Sequence, residues 1–155
     1  MPVMIRDMDS VRDMAAVARA YAEAADYWVL ADRTPPDAIK AATFFTDAPP
    51  GCDPASSRHL GLFVEDRLCG LAELSFGFPD PGDAYLGLMI LSPAARGKGH
   101  GRILLDKVVQ LASTHGATKL CLAVLAENPR GRAFWQREGF QTTGLSRHDA
   151  ETGHT

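Results

Sequence analysis

The chain has 155 residues, of which 46% are apolar and 23% charged, and its formal net charge is −3. That length supports one globular core and hardly two, and the composition excludes a disordered or fibrous protein. The acidic balance denies a nucleic-acid ligand its broad basic surface; the one dense group of cations is Arg96, Lys98 and Arg102.

In chain order, Val3–Met8 reads as a short strand. Ser10 predicts a helix start, with Asp13 as an imperfect capping box, and Val11, Met14, Val17, Ala18 and Tyr21 recur at helical spacing to about Ala25. The pattern loosens from Tyr27 to Pro54. Pro35-Pro36 opens a second helix to about Phe45, and "TDAPPGCDPASS" is loop. His59–Glu65 and Arg67–Phe76, joined at Asp66, predict an antiparallel hairpin. Tyr85–Leu91 is apolar almost throughout, as a strand covered on both faces should be. A glycine segment and a helix over Gly101–His115 follow, closed by Gly116. Lys119–Glu127 is a second continuously apolar strand, so these two strands should lie parallel and central as a βαβ unit. Asn128-Pro129 caps and opens a further helix ended by Gly139, and Phe140–Leu145 reads as a last strand. The fold class is α+β: a mixed sheet, antiparallel in its N-terminal half with a central parallel pair, flanked by helices in a single domain over residues 1–155.

Cys52, Cys69 and Cys121 are odd in number, far apart and without a C-x-x-C pair, which fits free thiols in a reducing compartment and speaks against a zinc site. The first ten residues carry charges where a signal peptide needs its apolar stretch, and no run approaches a membrane span. The expected location is cytoplasmic, with no membrane partner and no metal.

The segment "SPAARGKGHGRILLDKVV" has the parts of an anion site. Glycines bring backbone N–H groups close to a ligand, the helix behind adds its positive end, and Arg96, Lys98 and Arg102 add full charges. The plain alternative is a surface loop with incidental cations, but strand, loop and helix come in the order that anion binding needs. A P-loop fails, because Gly97-Lys98 is followed by Gly99 and Ser92 stands where the first glycine belongs. A dinucleotide fingerprint is nearer, since Gly97, Gly99 and Gly101 follow a strand and open a helix, but it is a distant runner-up: the spacing is G-x-G-x-G, and 28 residues after Glu127 are too few for the rest of such a domain.

"RGKGHG" matches the [Q/R]-x-x-G-x-[G/A] signature of the GNAT superfamily of N-acetyltransferases, with Arg96, Gly99 and Gly101 on the defining positions. "LSP" resembles that family's lead-in, and "NPRGRAFWQREGF" resembles its second motif. The order of elements from Val3 to Leu145 agrees, so the chain is identified as a member of that superfamily. The resemblance implies acetyl-CoA as cosubstrate. It places the pyrophosphate on the backbone of Gly97, Lys98, Gly99, His100, Gly101 and Arg102, with Arg96 at the signature position. It sets the pantetheine arm between two splayed central strands, paired with Met89, Ile90 and Leu91, and brings Asn128 against that arm.

Many family members protonate the departing thiolate with a tyrosine in the second motif. The matching position here is Trp135, whose indole is no acid at neutral pH, so Trp135 reads as a tunnel wall or core. Water or another tyrosine must then serve, and Tyr85 is the candidate. Glu73 interrupts an apolar strand and is the candidate base, against the alternative of a solvated strand face. Glu127 is a weaker one. Tyr27, Trp28, Phe44, Phe45, Phe76 and Phe78 fall where an acceptor pocket should form, although at least half of them are expected to be core. Asp26, Asp32, Asp80 and Asp83 read as solvated loop charges that could meet a cation. The tail Ser146–Thr155 is polar, and a truncated last strand would leave an edge that a homodimer could cover. The reading is an N-acetyltransferase acting on a small-molecule or peptide amine by direct transfer in a ternary complex. Its rival is a non-catalytic acyl-CoA-binding regulatory module, with a dinucleotide-binding protein as the distant alternative.

Overall fold

The hairpin that organises the sheet turns on two residues of positive φ, Glu65 at 50° and Asp66 at 64°. A two-residue turn of this kind matches the twist of its flanking strands, and it fixes β2 (Arg58–Val64) against β3 (Arg67–Phe76). The structure is a computed structural model and describes residues 2–143. β1 (Val3–Asp7) pairs with β2 and β4 (Asp83–Leu91) with β3, all antiparallel; β5 (Lys119–Cys121) runs parallel to β4. The strand order is β1-β2-β3-β4-β5, so the mixed sheet has the predicted sense of pairing, with β5 last among the described residues.

Helices cover both faces. On one lie α1 (Met14–Glu23), α2 (Ala25–Asp32) and α3 (Ala38–Ala42), where Val17, Tyr21, Trp28 and Phe44 bury against Leu71, Leu88 and Ile90. On the other, Leu104, Leu105 and Val108 of α4 (His100–His115) bury against Leu60, Leu62, Leu74 and Leu86. Phe134 and Trp135 of α5 (Pro129–Arg137) pack on that second core. Each sheet face is thus sealed by one helical layer.

Several predicted boundaries move, each for a local reason. Asp9, not Ser10, caps the first helical turn: its Oδ1 accepts the N–H groups of Val11 and Arg12 at 2.9 and 2.7 Å. Asp13 in turn accepts the N–H of Asp9 at 2.7 Å while Arg6 holds it with two bonds of 2.9 Å. The helix predicted to Ala25 is interrupted at Ala24 (φ −94°, ψ 29°), and α2 continues after it through residues read as looser. The helix predicted from Pro35 begins only at Ala38, capped by Asp37, and ends in a 3₁₀ turn, Thr43–Phe45. The strand predicted over Lys119–Glu127 stops at Cys121, where its pairing with β4 ends and no other strand among the described residues ladders with it. Phe140–Thr143 form no strand, and the remainder of that predicted strand lies outside the described residues, as does the tail from Ser146.

Gly101 is buried where α4 meets α5. A Cβ there would sit 3.4 Å from the Phe134 ring and 3.5 Å from Leu91 Cδ1. Alanine is therefore the largest side chain the contact accepts. Gly101→Val is expected to cost about 1–3 kcal/mol through overpacking, read as a lower urea midpoint, while Gly101→Ala stays near the parent.

Candidate functional site

β4 and β5 pair over Asp83–Tyr85 and Lys119–Cys121 and then part. Met89, Ile90 and Leu91 stay laddered to Ala72, Leu71 and Gly70 of β3. The alternate backbone groups of this stretch that point the other way therefore open into the fork between β4 and β5.

Past Leu91 the chain makes a 3₁₀ turn, Pro93–Ala95, and enters the glycine segment. Gly97 and Gly99 have φ of 74° and 83°, values that strain any residue with a Cβ. Their turn leads into α4, whose first N–H groups have no intrahelical acceptor and whose axis presents its positive end here. Lys98 is exposed, and Arg102 is exposed with its Nε 3.7 Å from Glu138. His100 Nδ1 lies 3.2 Å from the Ala95 carbonyl, which ties the ring to the preceding turn. Arg96 turns away from α4. Its guanidinium grips the Asp26 carboxylate with bonds of 2.6 and 3.0 Å, and its Nε donates to the Leu91 carbonyl at 3.1 Å. That grip holds the Asp26 carboxyl below the usual carboxylate range.

Asn128 caps α5, accepting the Gly131 N–H at 3.0 Å. Trp135 meets Phe134 and Phe140 edge-on, with centroids 4.9 and 5.4 Å away, and is half-buried against the second core. Both residues thus have structural work at the fork's β5 side.

Glu73 is buried, with 5% of its surface exposed. Its pairs are His59 on β2 and Leu88 on β4, and the register slips beside it so that Gly87 is an extra residue in β4. A Cβ on Gly87 would lie 3.1 Å from Glu73 Oε1, so the carboxyl occupies the space that this glycine leaves. Burial, and next the charge of Asp47, push the Glu73 carboxyl up to about 8. Tyr21, on α1, is pushed up by burial and then by the charge of Glu73 itself, which places its hydroxyl in the same environment. Tyr85 is paired with Ser75 and shares the Glu73 face of the sheet; it is also the last β4 residue registered with β5. The structure therefore brings Glu73 and Tyr85 to one face beside the fork.

The aromatic residues divide. Trp28 stacks on Tyr21 at 4.6 Å and is core, as is Phe44. Tyr27 meets Trp28 edge-on at 5.0 Å and is pushed up by burial, then by Asp32 and Tyr85. Phe78 meets Tyr85 edge-on at 5.0 Å. Phe76 belongs elsewhere, stacked on His115 of α4 at 3.7 Å. Gly87 carries a role that the sequence did not assign, for which a lone glycine inside an apolar strand was the available signal. Asp26, read as a loop charge that could meet a cation, lies instead in the first turn of α2, and the cation it meets is Arg96 of the same chain. Under the turn before the glycine segment lies a cleft of about 370 Å³, lined by Glu23, Arg67, Cys69, Ser92, Lys98 and His100 among others. Among the described residues no group of three or more His, Cys, Asp or Glu could hold a metal ion, and no helix is long and apolar enough to cross a membrane.

Known structures of the same shape include an acetyltransferase from Thermus thermophilus, with TM-score 0.77 and 21% identity, covering 99% of this chain and 94% of that one. The PaiA N-acetyltransferase of Thermoplasma acidophilum in complex with coenzyme A superposes with TM-score 0.72 at 19% identity, covering 99% and 97%. In sequence, an N-acetyltransferase of Mycobacterium bovis is 33% identical over 89 residues, 57% of this chain and 53% of its own length. A mycothiol acetyltransferase of Beutenbergia cavernae is 31% identical over 70 residues, 45% of this chain. The chain thus spans about half the length of the first relative and 24% of the second. The model of the acetyltransferase (GNAT) family matches residues 17–140, a span that holds the hairpin, the fork, the glycine segment and the capped helix beyond it. By that match the chain belongs to the GNAT acetyltransferase family.

Proposed function

We propose that this chain is a cytoplasmic N-acetyltransferase that moves the acetyl group of acetyl-CoA to a primary amine by direct transfer, within one domain. The observation that carries the reading is the buried Glu73 carboxyl beneath Gly87, one strand away from a fork whose far end is the glycine segment. The residues present fit a CoA thioester. The positive φ of Gly97 and Gly99 suits a backbone that wraps an anion, Lys98 and Arg102 would supply charge, and the open side of Met89–Leu91 would offer a strand edge to an extended amide-bearing arm.

In this scheme Glu73, once ionised, takes a proton from the acceptor ammonium. The neutral nitrogen then attacks the thioester carbonyl, which a β4 backbone N–H polarises. A C–N bond forms and the C–S bond breaks; the thiolate takes a proton from the Tyr85 hydroxyl or from water, and the second proton leaving the nitrogen as the amide forms restores that donor, so one net proton stays on Glu73. Arg96 is not a phosphate ligand here through its side chain; its charge is met by Asp26. Trp135 and Asn128 support the far wall as core and cap.

A carboxyl raised to about 8 holds its proton at neutral pH. Wild-type kcat/KM is therefore expected to rise with pH toward a plateau above 8, read as free-thiol release over a panel of primary amines. Glu73→Gln should lower it by about 10²–10⁴ and flatten that limb; an unchanged profile would remove Glu73 from the base role. The same shift has a stability sign. Between its ordinary 4.5 and about 8 the folded carboxyl keeps a proton that the unfolded one releases, so stability falls as pH rises through that window and levels above it. Glu73→Gln should abolish the fall and stabilise the fold at about pH 9 by on the order of a few kcal/mol, measured by urea unfolding across pH.

Gly99→Val forces a β-branched residue to a φ of 83° with nothing crowding its Cβ. The fold should survive while calorimetric CoA affinity drops by about 5- to 30-fold, the equivalent of roughly 1–2 kcal/mol of backbone strain. Unchanged affinity would refute the cradle.

A further inference from the structure

The glycine segment is fastened from behind by the junction of α1 and α2. Glu23, the last residue of α1, accepts the Ser92 hydroxyl at 3.0 Å and pairs with Arg67 at the start of β3. Asp26, in the first turn of α2, takes the Arg96 guanidinium at 2.6 and 3.0 Å. Ser92 and Arg96 flank the 3₁₀ turn Pro93–Ala95, so two acidic residues three positions apart hold both ends of the turn from which the glycine segment departs. Arg96 closes the arrangement by donating to the Leu91 carbonyl at 3.1 Å, at the end of β4. One side chain thus registers the fork strand, the turn and α2 together.

α2 is also the helix that carries Tyr27 and Trp28. Trp28 stacks on Tyr21 at 4.6 Å, Tyr21 feels the charge of Glu73, and Tyr27 feels the ring hydroxyl of Tyr85. A displacement of the Arg96 backbone therefore pulls on the helix that walls the candidate acceptor face. A bidentate guanidinium–carboxylate pair transmits such a displacement better than a single contact, because its fork geometry fixes orientation as well as distance.

We propose that Asp26 is a positioning residue: through Arg96 it couples the glycine segment to α2, so that filling the anion cradle resets the wall around Trp28. The inference rests on the acyl-CoA reading of the cradle. It does not need Asp26 to touch either substrate.

The test uses the full chain with 5-fluorotryptophan at Trp28 and Trp135, coenzyme A as the probe, and ¹⁹F NMR beside calorimetry; Trp28→Phe assigns the signals. In the wild type, saturating coenzyme A should shift the Trp28 resonance. In Asp26→Asn, coenzyme A still binds, about 3- to 10-fold more weakly as expected for a lost coupling, and the Trp28 resonance no longer moves at saturation. Because the pair is solvent-exposed, the melting temperature should change by no more than about 2 °C, so a loss of response reads coupling and not unfolding. Coenzyme A binding with an unmoved wild-type Trp28 signal overturns the inference alone, as does an equal shift in Asp26→Asn. Calorimetric silence of the wild type toward coenzyme A overturns the acyl-CoA reading and the coupling with it.

Discussion

One extra residue in β4 sets the architecture of the site. Gly87 has no partner in β3, and a strand carrying such a bulge bends and twists away from its straight course. The parallel pairing with β5 ends at Tyr85, two residues before it. Past that point β4 has no further strand partner on this edge among the described residues. The bulge also supplies the space for the Glu73 carboxyl. A side chain on residue 87 would press on Oε1 at 3.1 Å, and the glycine removes it. Fork and buried acid are consequences of one local irregularity.

A carboxyl at that depth is costly, since an ionised group loses its hydration on burial. Here the response is protonation: with burial first and the Asp47 charge second, Glu73 keeps its proton where an exposed glutamate has lost it. The neighbours reinforce this. His59, directly across on β2, is pushed down by burial and so offers no compensating cation, and its Nε2 is buried without a hydrogen-bond partner among the described residues. Phe44 and Phe45 pack against that ring at 5.4 and 5.6 Å and keep the region apolar. The Glu73 carboxyl therefore accepts a proton over a range of pH in which a surface glutamate is already ionised, the opposite of a surface glutamate's behaviour.

What could be read from sequence was what depends on short-range pattern. The hairpin over Arg58–Phe76, the long helix from His100 and the Asn128 cap were visible because alternation, helical spacing and capping chemistry act within a few residues. Glu73 stood out as one charge in an apolar run. The early helix failed at Ala24 because Ala-rich spacing continues through a backbone break that only packing imposes. The strand after Lys119 failed for a different reason. Its apolar run is continuous to Ala126, yet strand structure requires a neighbour, and its pairing with β4 ends at Cys121. Gly87 and Asp26 could not be assigned from single residues, since their meaning lies in a register slip and in a partner 70 positions distant.

Arg96 shows how far a signature position and a side-chain role can separate. Its place in "RGKGHG" invites a direct charge–phosphate contact, but the side chain points back to Asp26 and Leu91. The cations of this segment that remain exposed are Lys98 and Arg102, while Arg96 ties Leu91 to Asp26. Division of labour of this kind is physically sensible. Phosphate recognition by backbone N–H groups depends on the angle of each peptide plane, which glycine allows but does not fix. Two glycines of positive φ in three residues make the segment permissive, and something outside it has to choose one conformation. The grips of Glu23 on Ser92 and of Asp26 on Arg96 hold the segment's entry, and the start of α4 at His100 fixes its exit. A loop with free glycines between two fixed ends can adapt to an anion without losing its register to the fork. That combination, more than any single charge, is what the site requires of its sequence.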